Sequence, residues 1–99
     1  MARVLLDLNN PLFQETWFSL DRPETLAVIA TLRKLRQLDW EQLYRDSGLR
    51  WEAILSGSGP NGQRIYSLRV TQRVRAVAYR DGQFLRFLSL HSDHDSAYA

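Results

Sequence analysis

The stretch "IYSLRVTQRVRAVAYRDGQFLRFLSLH", residues 65–91, constrains the fold more than any other part of this chain. It is dense in β-branched and aromatic residues, and its Asp81-Gly82 pair is a strong hairpin signal. Three antiparallel strands follow. A first turn of three residues centred on Gln72 sets Val70 opposite Val74, Leu68 opposite Ala76 and Tyr66 opposite Ala78. In that register one sheet face is uniformly apolar and must be covered by the rest of the chain.

The cover is readable upstream. "RVLLDL" at residues 3–8 reads as a short first strand. Asn10 followed by Pro11 has the form of an N-cap and a first helical position, opening a helix through about Ser19. Asp21, with Glu24 three residues on, repeats the signal for a second helix running to about Leu38. Val28, Ile29, Leu32 and Leu35 form its apolar stripe. Residues 39–48 add one or two helical turns behind an Asp39 cap, and residues 56–62, "SGSGPNG", read as a loop within one domain. Trp17, Trp40 and Trp51 read as packing anchors. The expected fold is α+β, a single domain over residues 1–99: an N-terminal strand, an αα-hairpin, then a three-stranded antiparallel meander completing one sheet.

Composition narrows the chemistry. With 44% hydrophobic residues the 99-residue chain can fill one core, and with no cysteine it has neither disulfides nor a thiolate nucleophile or metal ligand. That composition suits a reducing cytoplasm. The N-terminal apolar run of three residues is too short for a signal-peptide core, and no stretch approaches the roughly eighteen apolar residues of a membrane span, so no membrane association is expected.

The net charge of +2 hides an asymmetry. Residues 1–60 carry seven Lys/Arg and eight Asp/Glu, whereas residues 64–86 carry six arginines against the lone Asp81. Arginine's planar fork suits phosphate, which points to a polyanionic partner; the alternative is a solvated sheet face. The register sets Arg69 opposite Arg75 on the face away from the helices and brings Arg86 beside Val77 on the same side. Like charges directly opposed across strands are destabilising, by a share of the roughly 0.2–1 kcal/mol that such pairs are worth. Two compensations are open: an anion gripped by both forks, or carboxylates brought from elsewhere in the fold.

The chain closes with "FLSLHSDHDSAYA", which places His91, Asp93, His94, Asp95 and Tyr98 after an apolar strand. So close a spacing in a tail does not build a closed metal shell, and neither a metal nor another cofactor is expected. The "GSGPNG" loop lacks the Lys-Ser/Thr of a phosphate loop, and Ser89, Ser92 and Ser96 lie in line with the histidines without a nucleophile elbow.

The segment "YSLRVTQRVRAVAYRDGQFLRFLSLHSDHDSAY" resembles the RelE/ParE superfamily of small bacterial toxins from toxin–antitoxin modules. The resemblance rests on the Tyr-x-x-Arg of one strand, the Val-Arg-Ala of the next, the Asp-Gly hairpin and the His-Asp-x-Ala-Tyr ending. By element order it covers nearly the whole chain, and by residues it covers 66–98. It implies a cognate antitoxin as partner. For the nuclease members it further implies action as a ribosome-dependent messenger-RNA endoribonuclease without a metal; the alternative is a non-catalytic toxin or binding module acting through a protein surface, of the gyrase-poisoning kind.

Cleaving RNA with its own 2′-hydroxyl needs a base on that oxygen, an acid on the leaving 5′-oxygen and positive charge at the phosphate. Arg69 and Arg75 match the family's strand arginines and would hold the phosphate, with Arg73 and Arg86 on the same basic segment. His91 or His94 would exchange the proton, with His94 favoured because Asp95 and Tyr98 lie near it in the chain. Tyr98 matches the family's C-terminal aromatic, suited to stacking on a base or orienting a leaving group. Asp93 and Asp95 depart from the basic residues usual there. A structural reading of the tail stands beside the catalytic one, with Asp95 as a cap, His94 over the sheet edge and Tyr98 as an anchor.

Overall fold

The computed structural model describes residues 2–92. In chain order it contains β1 (Leu5–Asp7), α1 (Pro11–Phe18), α2 (Arg22–Arg36), α3 (Trp40–Arg45), β2 (Glu52–Ser58), β3 (Arg64–Arg69), β4 (Val74–Asp81) and β5 (Phe84–Ser92). The strands form one sheet in the order β1-β5-β4-β3-β2, with β1 parallel to β5 and the remaining pairs antiparallel.

The helix starts follow from local chemistry. The Asn10 side chain accepts from the Leu12 N–H at 2.8 Å and the Asp21 side chain from the Glu24 N–H at 2.8 Å, each satisfying an orphan donor ahead of a proline-opened turn. A reciprocal capping box forms at α3, where Asp39 accepts from the Gln42 N–H and the Gln42 side chain accepts from the Asp39 N–H. On α2, Val28, Leu32 and Leu35 are buried, whereas Ile29, expected in the same stripe, stays 41% exposed. At 100° per residue Ile29 lies a quarter-turn from Val28, beyond the arc that the sheet covers.

The core joins helices and sheet. Phe13 of α1 meets Phe87 of β5 with ring centroids 5.1 Å apart, and Leu68, Val74, Ala76, Ala78 and Leu85 complete the floor under α1 and α2. The β3–β4 register is the expected one, with Leu68 opposite Ala76 and Tyr66 opposite Ala78, and the Thr71 hydroxyl closes the turn by accepting from the Arg73 and Val74 N–H groups. At the second hairpin Asp81 pairs with Phe84 across Gly82-Gln83. Gly82 alone takes a left-handed φ of 62° there, as the first position of a type II′ turn requires.

Two expectations are corrected. The sheet has a fifth strand, β2, because residues 52–58 pair with β3 from Glu52 opposite Ser67 to Ser58 opposite Arg64 rather than opening directly into a loop. Its Gly/Ser tail masked the strand signal, and pairing with β3 supplied what local propensity did not. Arg86 lies opposite Tyr79, not beside Val77, because the two turn residues are Gly82-Gln83 rather than Asp81-Gly82. The register shifts between Val77, opposite Ser89, and Ala78, opposite Phe87, so Leu88 is an extra residue in β5 and forms a β-bulge.

Candidate functional site

The helices cover one face of the sheet and leave the other open. A small apolar strip runs across the open face, where Ile65, Val77 and Tyr79 are buried against each other with Ile54 and Leu88 alongside. The bulge turns Leu88 onto this strip. On one side of the strip lies a cationic row: Arg69 of β3 pairs with Arg75 of β4, and Arg75 in turn pairs with His91 of β5. Strand alternation points these three side chains to the same side. All three are half-buried, and neither arginine has a carboxylate partner among the described residues.

His91 therefore sits inside β5 rather than past its end, directly across from Arg75. Its Nε2 lies 2.8 Å from the Ser89 hydroxyl, and Ser89, two residues back on the same face, is 6% exposed. Serine both donates and accepts, so it can serve the neutral imidazole and the imidazolium in turn by rotating its hydroxyl hydrogen.

Beside Arg75 the face dips into a groove of about 490 Å³ lined by residues 52–56 of β2 together with Ser67 and Arg75. Glu52 stands in it with a half-exposed side chain, one oxygen accepting from the Arg50 Nε at 3.3 Å.

The other arginines of the basic segment are dispersed. Arg86, expected to contact phosphate, is committed to two carboxylates, with Asp7 at 2.7 Å and Asp81 at 2.9 Å. Those bonds raise its pKa, and the Asn9 N–H together with Arg86 holds the Asp7 carboxyl below its usual range. Arg80 lies on the helix side, its guanidinium 4.4 Å from the centre of the Trp40 ring and bonded to the Tyr44 hydroxyl. Arg73 is in the exposed β3–β4 turn near Asp21 and Glu24, and Arg64 is exposed at the start of β3. Of the expected site residues the fold thus brings together Arg69, Arg75 and His91. His94 and Tyr98, with Asp93 and Asp95, lie outside the described residues.

Two residues of this face were missed by sequence reasoning. Ser89 was discoverable, since the i, i+2 spacing to His91 within a strand places both on one face. Glu52 carried no signal, because its strand was not recognised. Among the described residues no three His, Asp or Glu side chains gather as metal ligands, and no helix is long and apolar enough to cross a membrane.

No family model matches the sequence, and no curated protein is significantly similar to it. Among solved structures, the chain is similar to a copper-bound point mutant of a toxin from Helicobacter pylori, at 21% sequence identity and a TM-score of 0.50. The similarity covers 95% of this chain and 97% of that one, end to end, and establishes a common small α+β fold.

Proposed function

We propose that this protein is a toxin of a toxin–antitoxin module that cleaves messenger RNA on the ribosome, in the manner of RelE-like nucleases. One observation carries the reading: Arg69, Arg75 and His91 stand side by side on three adjacent strands of the helix-free face, and the two arginines lack carboxylate partners among the described residues. Opposed like charges are a cost that a bound phosphate offsets. The end-to-end likeness to a Helicobacter pylori toxin supports a toxin role.

The chemistry follows from placement. Arg69 and Arg75 grip the scissile phosphate and stabilise the charge that builds on its oxygens as the 2′-oxygen attacks. His91, next to Arg75, donates a proton to the leaving 5′-oxygen as the P–O bond breaks, with Ser89 holding its ring. His94 takes the proton from the 2′-hydroxyl as that oxygen attacks, and Tyr98 is a stacking surface for a base. An antitoxin would shield the cationic row with acidic residues or lay an amphipathic helix in a groove of the toxin, so complex formation weakens as salt rises.

Single-turnover cleavage of messenger RNA on purified ribosomes tests the reading. Arg75→Ala should lower cleavage at every pH by about 10²–10³-fold, whereas His91→Ala or His94→Ala should remove one limb of the pH profile at a cost of about 10²–10⁴-fold. Tyr98→Ala should weaken binding of the message. Growth arrest without any RNA cleavage would instead indicate a toxin that acts through a protein surface.

A further inference from the structure

We infer that the groove between β2 and the open sheet face is a nucleobase pocket in which Glu52 selects bases presenting an amino group, disfavouring uracil. This rests on the reading of the open face as an RNA-cleaving surface. The groove, at about 490 Å³, falls within the size range of small-ligand sites. It shares Arg75 with the cationic row, so a nucleotide whose phosphate lies on Arg75 has its own or its neighbour's base at the groove mouth. Single-stranded RNA offers splayed bases with free Watson–Crick edges for such reading.

The lining suits a base. Ile54 and Leu55 supply apolar wall, and Leu55 is 85% exposed, an unusual placement for a leucine that a stacked ring would cover. Glu52 supplies the reading group. As a carboxylate it only accepts hydrogen bonds. One oxygen is steadied by Arg50, and the other has no partner among the described residues. The amino groups of cytosine, adenine and guanine donate to it, whereas uracil has no amino group and its single N3–H donor is flanked by two carbonyl oxygens that repel the carboxylate. The Arg50 ion pair also tempers the repulsion between Glu52 and the RNA backbone.

The test measures binding of fluorescent rC6, rA6 and rU6 to the purified protein without ribosomes, alongside mapping of cleavage sites on ribosome-bound message. The wild type should bind rU6 about tenfold more weakly than rC6, in keeping with one charge-assisted hydrogen bond at a half-exposed site. Glu52→Gln, whose amide both donates and accepts, should level that difference and admit uracil at the cleavage position. Leu55→Ser should weaken all three oligomers alike. Equal binding of rC6 and rU6 by the wild type overturns the pocket. So does a Glu52→Gln variant that keeps the wild-type binding order while losing cleavage at all sites equally, since Glu52 would then act on protons. Glu52-dependent discrimination with no cleavage by any variant would sustain the pocket and refute the nuclease reading.

Discussion

Replacing either of the opposed arginines with glutamine should stabilise the fold while weakening its proposed hold on phosphate. Arg69 and Arg75 are direct cross-strand partners without a carboxylate among the described residues, so their repulsion is an unrelieved cost of about 0.2–1 kcal/mol in the free protein. Arg69→Gln removes that term, as does Arg75→Gln, and the double variant removes it only once. Each single variant should therefore gain about 0.2–1 kcal/mol, and the double should gain no more than the better single, leaving a coupling energy equal to the repulsion. For a chain of 99 residues the gain corresponds to about 1–8 °C in Tm. Urea unfolding at 0.1 M and at 1 M salt measures it. Screening shortens from about 10 Å to about 3 Å over that range, so the coupling should fade at high salt. Under the proposed nuclease function the same Arg75→Gln protein should lose about 10²–10³-fold in cleavage. Additive losses of stability in the two singles, unchanged by salt, would refute the reasoning: the arginines would then be making favourable contacts, and their repulsion would no longer mark a phosphate site.

Three further outcomes follow from the fold. Phe87→Ala removes the ring packed on Phe13 and should cost about 3–5 kcal/mol in urea unfolding. Deleting Leu88 removes the bulge and leaves a regular ladder in which Phe87 still faces Ala78 and Ser89 still faces Val77, so cooperative urea unfolding should be retained; a collapsed transition would show that the sheet needs the bend the bulge provides. The Asn9 N–H and Arg86 hold the Asp7 carboxyl, and Lys34 the Asp46 carboxyl, below the usual aspartate range. Their contribution is fully present above the unfolded value and is lost as pH falls through the lowered folded values, so Asp7→Asn with Asp46→Asn should flatten the acid limb of the stability profile below about pH 4 while leaving its slope at neutral pH unchanged.

Much of the fold was legible because it rests on local rules. Asn10-Pro11 and Asp21 with Glu24 mark helix starts through capping chemistry that needs only adjacent residues. The alternation of residues 66–78 set the β3–β4 register because a slip by one would have exposed Leu68 and Ala76 and buried Arg69 and Arg75. The opposition of the two arginines came with that register. What tertiary structure alone decided depends on partners distant in the chain. Glu52 became part of a strand, and of a site, only because β3 offered an unpaired edge. Arg86 looked like a phosphate ligand in a run of six arginines until β1 brought Asp7 across 79 positions of sequence to meet it. Its position opposite Tyr79 follows from the turn falling on Gly82-Gln83 rather than Asp81-Gly82, a one-residue shift that no periodicity announces. Periodicity and capping act over one turn or one strand, whereas which charge neutralises which is settled by the sheet order, where strands far apart in sequence become neighbours.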